Sequence, residues 1–250
     1  MSDAERASLS RRSLLAAGTF AGLALAVPRP SFGQGTRQGS EPLKIGVIGA
    51  GHIGSTVGAL WVKSGHAVMF SSRHPEGLAS LVQGLGVLAR SGTVAEAVAF
   101  GDVIFIAVPY GAYPQIGKDY GSELRGKVVL DAGNAVAARD GEISAEAKEE
   151  GIGATSVKYL PGARIVRAFN SMGYKYFASE AGRAGDRMAI PLASDDKDAL
   201  TVASILVHDA GFDPVVIGSL ARSKDFSQGN PLYGKQLTAE EMRKQADAIK

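Results

Sequence analysis

The run Gly49-Ala50-Gly51-His52-Ile53-Gly54 sets three glycines at G-x-G-x-x-G spacing, directly after the apolar stretch Lys44-Ile45-Gly46-Val47-Ile48. At the junction of a strand and a helix that spacing makes a phosphate cradle. The first glycine permits the tight turn, the second lets the backbone approach a pyrophosphate, and the third lets the helix pack closely on the strand. A helix opening near His52 aims its free N–H groups and the positive end of its dipole at the phosphates. A second apolar stretch, Val68-Met69-Phe70-Ser71, ends in Ser72-Arg73-His74. An acidic residue there would hold a ribose 2′-hydroxyl and repel a 2′-phosphate; Arg73 can instead pair with a 2′-phosphate bidentately, and Ser72 can donate to it. The expected ligand is therefore NADP(H) rather than NAD(H), held by Gly49, Gly51, His52, Ile53, Gly54, Ser72 and Arg73. His74 is read as a loop residue without a role.

These residues need a sheet to position them. From Leu43 onward short apolar runs alternate with helix-like stretches, which predicts a Rossmann-type, doubly wound α/β fold with a mainly parallel sheet and helices on both faces. Strands are expected at 43–48, 67–71, 103–108, 128–131, 165–169, 188–193 and 214–217, with 87–89 as a further candidate. Several, such as Val103-Ile104-Phe105-Ile106-Ala107-Val108, are continuously apolar, as strands covered on both faces must be. The rhythm ends near Gly218, so the nucleotide-binding domain is placed at 43–218 and a C-terminal extension at 219–250. Thr238 ahead of Glu241 predicts a capping box and a helix there. The tail Gly229-Asn230-Pro231-Leu232-Tyr233-Gly234 is read as folding over the cleft, joining a homodimer interface, or strapping Tyr233 onto its own domain.

The N-terminal 33 residues read differently. Arg11-Arg12 precedes an apolar run from Leu14 to Val27, too short to span a bilayer core of about 30 Å at about 1.5 Å per residue. The segment reads as a signal peptide of the twin-arginine type, which exports folded proteins, with no membrane anchor. Cleavage fits either Ala24-Leu25-Ala26 or Ser31-Phe32-Gly33, an uncleaved tail is the other reading, and residues 34–42 form a polar linker. The expected location is the periplasm. The formal charge of +2 resides in this segment, where Arg6, Arg11, Arg12 and Arg29 face Asp3 and Glu5; beyond it the charges balance, so nucleic acid is not an expected partner. The chain has no cysteine, and its four histidines, His52, His66, His74 and His208, lack metal-ligand spacing. No metal site is expected.

Further motifs extend the pattern: Ala107-Val108-Pro109, Asp131-Ala132-Gly133-Asn134, Val166-Arg167-Ala168-Phe169-Asn170, Ser194-Asp195-Asp196, and Gly211-Phe212-Asp213-Pro214-Val215 leading to Gly218-Ser219-Leu220-Ala221-Arg222. Together with the glycine turn and Ser72-Arg73 they resemble the coenzyme-binding domain of the NADP oxidoreductases dependent on the deazaflavin coenzyme F420, a fold related to the cytosolic domain of metalloreductases and to the nucleotide domain of pyrroline-5-carboxylate reductases. The resemblance covers about 43–222. It implies that Ala107, Val108 and Pro109 line the nicotinamide side, with Asn134 near the same crevice. Asn170, Ser171 and Met172 are candidates for the acceptor's side. The chain departs from the family pattern at Ala135, where proline is usual, and at Gly77, where some relatives carry a lysine that binds phosphate. Asp195 and Asp196 are read as caps of the following helix.

Hydride transfer between a nicotinamide and a flavin-like ring demands alignment rather than a side-chain acid or base, so no catalytic residue is named. The resemblance implies an NADP(H)-dependent oxidoreductase whose small-molecule acceptor is a deazaflavin, a flavin or, through one, a ferric or cupric ion. Two other readings stay open: a non-catalytic NADP(H)-binding or redox-sensing module, and an imine or carbonyl reductase. The chain leaves no room for the helical domain that usually accompanies the latter.

Overall fold

A computed structural model describes residues 41–249. The arginine pair, the apolar run after it and nearly all of the 34–42 linker lie outside the described residues.

The chain alternates strand and helix: β1 (Lys44–Ile48), α1 (His52–Ser64), β2 (Ala67–Ser71), α2 (Ala79–Leu85), β3 (Ala89–Gly92), α3 (Val94–Phe100), β4 (Val103–Ile106), α4 (Tyr113–Leu124) and β5 (Val128–Asp131). Three short helices follow, α5 (Ala137–Asp140), α6 (Glu142–Glu150) and α7 (Ile152–Tyr159). The rest is β6 (Arg164–Arg167), α8 (Tyr174–Glu180), β7 (Ala189–Ala193), α9 (Lys197–Asp209), β8 (Asp213–Gly218), a 3₁₀ segment (Leu220–Phe226) and α10 (Ala239–Asp247). The eight strands form one sheet in the order β3-β2-β1-β4-β5-β6-β7-β8. The first six run parallel; β7 is antiparallel to β6, and β8 is parallel to β7. The expected doubly wound α/β architecture is what forms.

Several strand limits differ from expectation, each for a local reason. The 87–89 candidate is displaced: β3 begins at Ala89, opposite Val68, and Val87 is left 94% exposed. Arg90 and Ser91 carry little apolar signal, so pairing with β2 places this edge strand rather than its own pattern. The 103–108 stretch ends at Ile106; the Ala107 N–H still bonds the Ile48 carbonyl, but the chain then turns through Val108 and Pro109. The 165–169 stretch stops at Arg167 because Phe169 takes a left-handed φ of 59°. The strands expected at 188–193 and 214–217 run Ala189–Ala193 and Asp213–Gly218, the latter at the sheet edge, where Pro214 is tolerated.

Two core clusters cover the two faces. Under α1 and α9, Trp61, Phe105, Phe169, Phe177 and Phe212 meet edge to face, and the Trp61 indole N–H donates to the Leu206 carbonyl at 2.8 Å. On the other face Ile104, Ile106, Tyr110, Tyr113 and Ile116 pack with Ile143 and Ile152. In the C-terminal extension Leu232, Met242 and Ala246 bury themselves with Ala189, Val215 and Ile217 in a third cluster. Its helix, α10, opens with the expected capping box between Thr238 and Glu241, and a second box at Thr93 and Glu96 opens α3. Among the described residues no helix is long and apolar enough to cross a membrane, and no three His, Asp or Glu side chains are grouped so as to hold a metal ion.

Candidate nucleotide-binding cleft

The strand order turns back on itself between β1 and β4, and at such a switch point the loops leaving the two strands diverge and open a crevice. Gly49 ends β1 there with φ 96°, in the left-handed region. A Cβ on it would collide with Val108 Cγ1 and stand 2.7 Å from the Ala107 carbonyl oxygen, so the turn can lie this close to the β4 loop only as glycine. At Gly54 a Cβ would collide with the Gly49 carbonyl oxygen, which is the close packing of helix on turn. Gly51 is different. A Cβ there would meet nothing within 4 Å, so its face is open toward whatever the turn receives. As expected, α1 begins at His52; it has no side-chain cap and no acid in its first turn, which leaves its N–H groups and dipole to an anion. The three glycines thus fit a dinucleotide pyrophosphate.

The end of β2 is tied to the same turn. The Ala50 N–H donates to the Ser71 carbonyl at 2.9 Å, and the buried Ser71 hydroxyl donates to the Val47 carbonyl at 2.7 Å. Beyond them Ser72 Oγ accepts from the His74 N–H at 3.1 Å, keeping its own proton to donate. Arg73 is exposed and has no ion-pair partner among the described residues, so its guanidinium is available to a phosphate. His74 is paired with Glu76 at 3.3 Å in full solvent, as a surface loop residue.

On the far side Pro109 is exposed after β4, and Asn134 lies half-buried after β5. Asn134 Nδ2 donates to the Asn170 carbonyl at 2.7 Å, joining the β5 and β6 loops. Asn170 is 2% exposed and its Oδ1 has no hydrogen-bond partner among the described residues. Phe169 aims it there from a backbone conformation that costs a non-glycine residue about 1–3 kcal/mol, held by its aromatic neighbours. Ser171 is buried, and its carbonyl accepts from the Gly234 N–H at 2.8 Å. The tail 229–234 is therefore a strap across this loop, with Leu232 buried and Tyr233 half-buried on the same domain. Met172 packs into the α1–α9 core. Next to Asn134 a cavity of about 730 Å³ is lined by Ala135, Ala147, Lys148, Ile152, Lys224 and Asn230, among others.

A buried ion pair that the motifs did not reveal holds the β5 and β6 loops. Asp131 and Arg167 are register partners at the ends of adjacent strands, both fully buried, with Arg167 Nη1 2.6 Å from Asp131 Oδ1. Tyr113 and Ser156 donate to the carboxylate at 2.5 and 2.6 Å, and the Gly133 N–H at 2.9 Å. Arg167 Nη2 returns a bond to the Gly133 carbonyl at 2.5 Å. Burial, then the Asp131 charge, pushes the phenols of Tyr110 and Tyr113 well above their ordinary value, so both stay neutral donors. Burial is the largest single influence and opposes the Arg167 charge, but Asp131, by its charge and its hydrogen bond, together with Tyr113 and Tyr110 outweighs it, and Arg167 remains a cation. The cluster fixes the Gly133-Asn134 corner. Asp131 and Arg167 both stood in the motifs; only strand pairing shows that they meet. Of the two aspartates expected as caps, Asp196 alone serves, accepting from the Ala199 N–H at 2.9 Å and pairing with Arg164. Asp195 instead accepts from the Leu220 N–H and anchors the 3₁₀ segment, because the chain bends back over it there.

Comparison with known proteins agrees with this geometry. Metalloreductase STEAP3 of Rattus norvegicus is 28% identical over 190 residues, 74% of this chain but 36% of that protein, so the chain spans about a third of that relative's length. The hypothetical protein SMa0349 from Sinorhizobium meliloti is 28% identical in sequence and superimposes with a TM-score of 0.66 over 79% of this chain and 95% of that one. A putative F420-dependent NADP reductase from Arthrobacter sp. FB24 shares the fold at 17% identity, with a TM-score of 0.59 over 78% of this chain and 99% of that one. Residues 44–135, from β1 to the loop after β5, match the family model for NADP oxidoreductase, coenzyme F420-dependent.

Proposed function

We propose that the protein binds NADP(H) across the switch point and transfers hydride between it and a flavin-like acceptor, a deazaflavin or a flavin, with metal-ion reduction through a flavin as an extension. The observation that carries this reading is the open face of Gly51 between the exposed Arg73 on one side and the Val108-Pro109 turn on the other. NADPH supplies the hydride when bound, and everything else falls to the chain. Gly49, Gly51 and Gly54 bring the backbone and the α1 N-terminus to the pyrophosphate. Ser72 and Arg73 select the 2′-phosphate. Val108 and Pro109 support the nicotinamide side, and Asn134, fixed by Asn170 and by the buried Asp131–Arg167 pair, borders the cavity where the acceptor's ring would lie. Orientation of this kind can supply several kcal/mol, on the order of 7–11 in the best cases, without a proton-transferring group.

The test is a fluorescence titration of the native protein and Arg73→Ala with NADPH and NADH, followed by an acceptor screen that begins with flavins and deazaflavins. NADPH binding at least about tenfold tighter than NADH, with the preference lost in the variant, supports the reading. Binding of neither nucleotide overturns it.

A further inference from the structure

We infer that Tyr174 is a positioning residue for the dinucleotide, acting through His52 in the phosphate turn; the inference rests on NADP(H) occupying that turn. The two rings stack with centroids 4.3 Å apart and planes 12° from parallel. His52 is the first residue of α1, inside the glycine motif, and is exposed; Tyr174 is the first residue of α8, half-buried, directly after the loop that carries Asn170, Ser171 and Met172. The stack therefore joins the pyrophosphate side of the cleft to its acceptor side at the surface.

Docking of α8 does not require this contact. Phe177, fully buried, seats the helix against Phe169 and Phe212 in the core. The His52–Tyr174 pair lies at the surface, where His52 is exposed, and it fixes the rotamer of the ring side chain in a turn otherwise built of small residues and Ile53. Unstacked, the imidazole would lose its support and the α1 N-terminus its brace from α8. Stacked, it stays parallel to Tyr174 and braces the α1 N-terminus from the opposite wall. Occupancy of the turn is thereby linked to the loop holding Asn170, which bonds Asn134 on the acceptor side.

The experiment titrates NADPH, and separately 2′-AMP, into the native protein, Tyr174→Ala, Tyr174→Phe, His52→Ala and the double alanine variant. 2′-AMP carries the 2′-phosphate that Arg73 would read but no pyrophosphate. Tyr174→Ala and His52→Ala should each weaken NADPH about three- to tenfold, the scale of an aromatic pair. The double variant should be no weaker than the worse single one, Tyr174→Phe should stay within about twofold of native, and 2′-AMP should bind all of them alike. Native-like NADPH affinity in Tyr174→Ala, additive losses in the double variant, or an equal loss for 2′-AMP would each overturn the positioning role. A native protein that binds neither ligand would instead sink the underlying NADP(H) assignment, and the inference with it.

Discussion

Replacing Gly51 by alanine separates binding from folding more cleanly than any other change in the cleft. The residue has φ −75° and ψ −163°, which alanine adopts without strain, and its Cβ would touch no protein atom within 4 Å. Stability should therefore stay within about 1 kcal/mol of native, and the lower entropy of the unfolded chain offsets part of any loss. A bound pyrophosphate must approach that same face, so the methyl group intrudes on the ligand. An intrusion of that size costs about 1–3 kcal/mol, or roughly 5- to 150-fold in affinity. At a nucleotide concentration 100 times the native dissociation constant, binding stabilises the native protein by about 2.7 kcal/mol, an upward shift in Tm of roughly 5–11 °C for a chain this long. With affinity lowered 10- to 100-fold the stabilisation falls to about 0.4–1.4 kcal/mol, or roughly 1–6 °C. The assay is thermal unfolding with and without NADPH. A Gly51→Ala protein with native Tm and a native NADPH-induced shift would refute the claim that this turn is the phosphate cradle.

Gly54→Ala should behave in the opposite way, because its Cβ collides with the Gly49 carbonyl oxygen: a loss of about 1–3 kcal/mol before any ligand is added, read as a lower urea midpoint. Arg167→Met leaves the Asp131 carboxylate buried without its cation and should cost about 3–5 kcal/mol in denaturant unfolding. Hydrogen bonds from Arg164, then from the Ala199 N–H, hold the Asp196 carboxyl well below the usual carboxylate range. A lowered folded pKa contributes stability above the unfolded value of about 3.9 and loses it as pH falls through the folded one. Asp196→Asn, which keeps a capping side chain, should therefore lower Tm near neutral pH and show a shallower decline below about pH 4. For export, which we propose from Arg11-Arg12, a double Arg11→Lys, Arg12→Lys variant should accumulate in the cytoplasm by cell fractionation, and unchanged periplasmic recovery would refute it.

Local chemistry made much of this protein readable from its residues. Three glycines at fixed spacing after an apolar strand specify a turn that excludes a side chain at Gly49 and Gly54, and α1 begins at His52 where the motif puts it. Continuous apolar runs marked the buried parallel strands, and Thr238 with Glu241 marked α10, because each signal is contained within a few neighbouring residues. Strand ends were less legible. Nothing local in Arg90-Ser91 says that β3 pairs with β2, and the end of β6 depends on Phe169 being held in a left-handed turn among aromatic neighbours from α1, β4, α8 and the turn before β8. Tertiary structure alone decided the rest. It paired Asp131 with Arg167 across a strand register, set Asn134 against Asn170, laid Gly234 over Ser171, and stacked Tyr174 on His52, a contact between residues 122 positions apart. Sequence encodes the turn that receives a phosphate because backbone conformation is local, whereas the walls of the cleft are made by residues that meet only after the sheet has formed.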